Sequence, residues 1–82
     1  MIRTVAANVA KQREWKKDSK LTKQNGRDVY FDYRSSNYYA LDTQHGRFEV
    51  VNKKGKHKGE VDFNLNPTKP AYKSGGHDLK IK

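Results

Sequence analysis

Tyr38-Tyr39-Ala40-Leu41-Asp42-Thr43-Gln44-His45-Gly46-Arg47-Phe48-Glu49 is the stretch from which the rest of the chain is read. Apolar and polar residues alternate on both sides of Thr43-Gln44-His45-Gly46, and Gly46 suits the left-handed end of a turn. The pattern predicts two antiparallel strands, Tyr38 to Asp42 and Arg47 to Asn52, joined by a four-residue turn. Pairing across that turn sets Asp42 opposite Arg47, Leu41 opposite Phe48 and Ala40 opposite Glu49. Alternation then gathers Tyr39, Leu41, Phe48 and Val50 on one face as a core layer. Tyr38, Asp42, Arg47 and Glu49 fall on the other face, with His45 at its rim.

Towards the N-terminus, Ile2 to about Lys17 predicts a helix rich in good helix formers (Ala6, Ala7, Ala10), with Thr4 as a cap and Ile2, Val5, Ala6 and Val9 on one face. Trp15 completes that apolar face or stacks on a base, and burial is the commoner fate of tryptophan. Asp18 to Gly26 reads as a polar, lysine-rich link ending in an Asn25-Gly26 turn. Val29, Phe31 and Tyr33 alternate with Tyr30 and Asp32 as a strand, followed by the loop Arg34-Ser35-Ser36-Asn37. Beyond the hairpin, Lys53 to Gly59 reads as a basic turn and Glu60 to Leu65 as a fourth strand with Val61 and Phe63 on one side. Pro67, Pro70, Gly75 and Gly76 predict an irregular basic tail over residues 66–82, with a last short strand near Leu79 to Ile81. The expected fold is α+β in one domain over residues 1–82. In it an N-terminal helix and linker (1–20) precede a small, strongly twisted antiparallel sheet (27–65).

Composition narrows the partners. The chain has 82 residues, of which 33% are hydrophobic. Domains of this size hide roughly 60% of the surface their unfolded chains expose, so the core is thin. Cysteine is absent, which excludes a disulfide framework and thiolate metal sites. No apolar run approaches the ~20 residues that span a bilayer, and no signal-peptide core precedes the first helix. Eighteen Lys and Arg against nine Asp and Glu give +9, and the pI is near 9.9. An imbalance of that size predicts a polyanionic partner, nucleic acid before an acidic protein or an anionic membrane surface.

Asp42, His45 and Glu49 are residue types that move protons near neutral pH. Cleavage of RNA by its own 2′-hydroxyl needs a base for that hydroxyl, an acid for the departing 5′-oxygen and positive charge at the phosphorane. A glutamate base and a histidine acid supply the first two. A carboxylate beside the histidine fixes its tautomer, and Arg47 or a nearby lysine supplies the third. No metal or cofactor enters this scheme. The same residues also admit a plainer reading, with Asp42 and Arg47 as a surface pair worth under ~1 kcal/mol and an inert turn histidine.

Tyr39-Ala40-Leu41-Asp42-Thr43-Gln44-His45-Gly46-Arg47-Phe48-Glu49 resembles the Tyr-x-x-Asp-x-Gln-His-Gly-x-x-Glu segment of the cytotoxic ribonuclease domain of E-group colicins. Gly55-Lys56-His57-Lys58-Gly59 and Asp62 resemble the Gly-x-His-x-Gly and strand that follow it there, with a one-residue gap between the motifs. The resemblance spans about Tyr38 to Pro70, and related domains end contact-dependent inhibition toxins.

It implies a toxin endoribonuclease that cuts small-subunit ribosomal RNA near the decoding site and leaves a cyclic phosphate. It also implies Glu49 as base, His45 as acid, and Asp42 and Tyr39 in the same site. Simple alternation places Tyr38 rather than Tyr39 beside Asp42, and a bulge would reconcile the two. RNA contacts fall to Arg47, Lys53, Lys54, Lys56, Lys58, Lys69 and Lys73, with Arg27, Arg34, Tyr30 and Tyr33 as further candidates. Alternating aromatics favour the core for the two tyrosines. The family's C-terminal arginine has no counterpart, since the tail offers Lys69, Lys73, His77, Lys80 and Lys82. The expected partners are ribosomal RNA or the 30S subunit and an acidic immunity protein, with no membrane association. The expected place of action is the cytoplasm of a target bacterium, reached by release or from the cell surface as part of a larger toxin. A ribonuclease for transfer RNA and a non-catalytic RNA-binding module are the alternative readings.

Overall fold

The computed structural model describes residues 1–70 and Leu79. It contains two helices and a six-stranded antiparallel sheet in which each strand pairs with its neighbours in sequence, an α+β arrangement. The elements are α1 (Ile2–Gln12), β1 (Lys16–Lys17), α2 (Ser19–Asn25), β2 (Val29–Asp32), β3 (Asn37–Asp42), β4 (Arg47–Asn52), β5 (His57–Val61) and β6 (Pro67–Pro70). Lys73, His77 and the strand expected near residues 79–81 lie outside the described residues.

The hairpin has the predicted register. Asp42 pairs with Arg47, Leu41 with Phe48 and Ala40 with Glu49, and the ladder runs on without a bulge to Asn37 and Asn52. Gly46, at φ 64°, closes the turn, and its amide donates to the Asp42 carbonyl at 2.9 Å. An L side chain would be strained there.

One face of the sheet carries α1. Ala6, Ala10, Trp15, Tyr30, Leu41 and Phe48 are buried together, with Ile2, Val9, Tyr39, Val61, Phe63 and Leu65 packed around them. Phe48 is the hub, meeting Trp15 at 5.3 Å and Phe63 at 5.2 Å edge to face. Trp15 therefore serves the core. The other face has a smaller cluster of Leu21, Val29, Ala40, Val51 and Leu79, with Tyr38 against it.

Five expectations need correction. The helix stops at Gln12 rather than near Lys17, because Glu14 turns the chain at φ 61°. Lys16 and Lys17 then pair with Phe31 and Tyr30 as an added strand. Thr4 lies within α1 and makes no cap, and Val5 is 46% exposed because the buried stripe runs through Ala6 and Ala10. The lysine-rich link is a second helix. Asp18 caps it by accepting the Leu21 amide at 2.9 Å, and Gly26 ends it at φ 67°. The fourth strand sits earlier than expected, at His57–Val61, and Asp62 turns the chain by accepting the Asn64 and Asn66 amides. Pro67–Pro70, expected to be irregular, forms β6 at the sheet edge, where proline's missing donor costs no ladder bond.

Asp28 joins α1, β1 and the start of β2. It is 7% exposed, takes a two-pronged bond from the Arg3 guanidinium at 3.0 and 3.1 Å, and lies 3.2 Å from the Lys17 ammonium. The Arg3 bond holds its carboxyl below the usual range; burial opposes this, and Lys17 adds to it. Asp62 is also lowered, chiefly by the Asn66 amide. A carboxylate whose folded pKa lies below its unfolded value stabilises the fold above the unfolded value, and that contribution fades as pH falls through the folded one. The expected result is a melting midpoint that holds steady near neutrality and drops once the pH passes below about 4. Asp28→Asn should flatten that drop. Thermal unfolding followed by circular dichroism across the acid range measures both.

Candidate active site

The turn after β3 and the middle of β4 wall a cleft of about 410 Å³ whose lining includes Arg27, Asp42, Gln44, His45 and Glu49. The sequence placed Asp42, His45 and Glu49 together, and all three line it. Arg27 arrives from the end of α2 because Gly26 turns the chain in left-handed geometry just before it.

Asp42 organises the turn. Its Oδ1 accepts the backbone amides of Gln44 and His45 at 3.0 and 3.2 Å, and its Oδ2 meets His45 Nδ1 at 2.8 Å. Burial pushes the Asp42 carboxyl up, but the His45 ring and the two amides together outweigh that and hold it below the usual range. His45 is half exposed, and with Nδ1 committed to Asp42 its other ring nitrogen, Nε2, is left for a substrate.

Glu49 is 4% exposed and its Oε1 lies 2.6 Å from His57 Nε2, itself buried. Reasoning from the hairpin alone leaves His57 out of the site. The register shift between Val50 and Val51 delivers it, since Val51 pairs with His57 while Val50 pairs with Gly59. The signal was present in the Gly55-x-His57-x-Gly59 pattern. Directly across from Glu49 on β5 stands Glu60, 3% exposed. Its Oε1 accepts from Arg47 at 3.0 Å and from the Thr68 hydroxyl at 2.6 Å. Burial pushes the Glu60 carboxyl up. Thr68, Arg47, contact with Glu49 and the charge of Lys69 outweigh that and hold it low.

Asp42, Glu49 and Glu60 thus bring carboxylate oxygens within 4.8 Å of one another. Three such groups repel unless each has a counterpart. Here His45 answers Asp42, His57 answers Glu49 and Arg47 answers Glu60. The same oxygens are hard donors of the kind a divalent cation accepts.

Three further expectations are altered. Tyr39 stacks on Trp15 at 3.9 Å on the helix-covered face, so it is not brought to Asp42, and the unbroken ladder excludes the bulge that would carry it there. Burial also pushes its hydroxyl up. Arg47 is bound to Glu60 rather than turned to the cleft. Lys53 and Lys54 lie in the turn after β4, roughly 13 Å of extended strand from Glu49, and so not beside the site. Lys56 and Lys58 are exposed nearby in that turn and on β5. Lys69 pairs in register with Glu60, and its charge acts on that carboxylate.

No curated protein and no solved structure matches this chain. A family model does, the one described as Cytotoxic, over residues 4–78. The match takes in α1 from Thr4 on, α2, all six strands and every residue of the cleft. The chain belongs to the Cytotoxic family and is a cytotoxic, colicin-like toxin domain.

Proposed function

We propose that this domain is an endoribonuclease that cleaves small-subunit ribosomal RNA near the decoding site through the 2′-hydroxyl of the RNA itself. The observation that carries the reading is the cleft lined by Asp42, His45 and Glu49, in which Asp42 is bound to His45 and Glu49 to the buried His57. Glu49 takes the proton of the 2′-hydroxyl, and that oxygen attacks phosphorus. His45, aimed by Asp42, gives a proton to the departing 5′-oxygen. The products are a 2′,3′-cyclic phosphate and a 5′-hydroxyl. Arg27 on the cleft wall supplies the charge for the phosphorane, the role expected of Arg47, and Lys69 adds to it from β6. His57 holds Glu49 in place.

A net charge of +9 favours the polyanionic substrate. It also favours an acidic immunity protein as the inhibitor that covers this surface in the producing cell. No helix among the described residues is long and apolar enough to cross a membrane. The place of action we infer is the cytoplasm of a target bacterium.

The test is incubation of the protein with intact ribosomes in EDTA, with RNA ends mapped by primer extension. One new end in small-subunit RNA, absent with His45→Ala, is the expected result. Glu49-dependent cutting of other RNA would move the substrate to another class such as transfer RNA. Cleavage lost in EDTA and restored by Mg²⁺ would put a cation on Asp42, Glu49 and Glu60 and refute the metal-independent scheme. Binding without any cutting would leave a non-catalytic RNA-binding module.

A further inference from the structure

At the other end of β3 lies a second cleft, of about 420 Å³, lined by Lys16, Phe31, Tyr33, Tyr38 and the start of α2. Lys16, Phe31 and Tyr38 stand in one row across β1, β2 and β3. Tyr38 shares a strand face with Ala40 and Asp42, so this cleft opens on the same side of the sheet as the catalytic one. The two are separated by roughly 13 Å along β3.

Its wall is aromatic. The Phe31 ring meets Tyr33 at 4.9 Å and Tyr38 at 4.9 Å. Tyr33 is 67% exposed, while Tyr30 is 5% exposed and belongs to the core. Alternation favoured the core for both tyrosines. Tyr33 escapes because β2 ends at Asp32 and the chain turns there, the Asp32 carboxylate accepting the Arg34 amide. Core packing therefore does not account for a large ring left in water beside two others. Charge is present too. Lys16 and Lys17 both line the cleft; the Lys17 ammonium is held 3.2 Å from Asp28, and exposed Lys16 stands in the row of Phe31 and Tyr38. Asp18 is occupied in capping α2.

A π-face with a cation at its edge, on a strongly basic protein, has the chemistry that receives an unpaired nucleobase and its phosphate. We propose that the Phe31–Tyr33–Tyr38 cleft is a base-stacking subsite for single-stranded RNA. It holds a base a few nucleotides from the phosphodiester at Glu49. The inference rests on the ribonuclease reading for its substrate, but binding can be measured apart from cleavage.

The experiment titrates a labelled 2′-O-methyl RNA, which lacks the attacking hydroxyl, against wild type, Tyr33→Ala, Tyr33→Phe and Lys16→Ala. Tyr33→Ala is expected to raise Kd by about 5- to 150-fold, the range of one base–aromatic stack. Tyr33→Phe should restore binding, since the ring and not the hydroxyl does the stacking. An abasic strand of the same length should bind wild type and Tyr33→Ala alike. Lys16→Ala should reduce the slope of log K against log salt by about 0.7, one phosphate on a single strand. Equal Kd for wild type and Tyr33→Ala, or an equal loss on the abasic strand, would overturn the subsite. If Glu49→Gln changes no RNA end while the Tyr33 dependence persists, the ribonuclease reading fails and the subsite stands. If cleavage depends on Glu49 but affinity ignores Tyr33, the subsite alone is withdrawn.

Discussion

Glu49→Gln is expected to slow RNA cleavage by a factor on the order of 10³, within the 10²- to 10⁴-fold typical of a positioned general base. The substitution keeps the shape of a side chain that is almost fully enclosed, and leaves an oxygen for His57 Nε2, now 2.6 Å away. It removes the carboxylate proposed to accept the 2′-hydroxyl proton. It also removes a negative charge from a cluster of three carboxyl groups, a relief of repulsion that offsets the charge lost opposite His57. Rate and stability should therefore separate, with cleavage lost and the melting midpoint held or raised. Single-turnover cleavage alongside thermal unfolding of the same preparation measures both. A variant that cuts at more than a tenth of the wild-type rate would remove Glu49 from the chemistry.

The contrast between what the sequence disclosed and what it withheld follows from how local each feature is. The β3–β4 hairpin was legible because period-two alternation and a four-residue turn ending in Gly46 fix register within one short stretch. The same alternation separated Tyr38 from Tyr39 correctly, whereas the motif resemblance alone would have drawn Tyr39 into the site. Features that need a distant partner were not legible. β1 has two residues and exists because β2 is there to pair with it. β6 begins and ends in proline, and only the free edge of β5 makes a strand of it. His57 reaches Glu49 through a register shift that no periodicity announces. Helix α2 is a different kind of miss. Its signals, Asp18 at the start and Gly26 at the end, were local and complete, but its polar composition outweighed them. Arg27 was a candidate for RNA contact, but its place on the cleft wall depends on where that helix stops and was not legible with it.

Strand β4 alternates between two tasks, and the second large effect follows from that. Phe48 and Val50 face the helix side, while Glu49, between them, faces the cleft. Phe48 is fully buried and touches Trp15, Tyr30, Tyr39 and Phe63 by ring contacts. Phe48→Ala is expected to cost about 3–5 kcal/mol, the lost transfer of the ring plus the cavity it leaves. A chain of this length has a total stability of about 5–10 kcal/mol. The melting midpoint should fall by on the order of 20 °C, and a large fraction of the protein should be unfolded under ordinary conditions. Cleavage should fall in proportion to that fraction, with KM for RNA unchanged in the molecules that remain folded. Phe48→Leu keeps most of the apolar volume and should recover most of both losses. Trp15 lies in the same cluster, so its fluorescence follows the unfolding directly while a cleavage assay is run on the same sample. If Phe48→Ala melts with the wild type and yet fails to cut RNA, Phe48 acts on the site through the placement of Glu49 and not through the core.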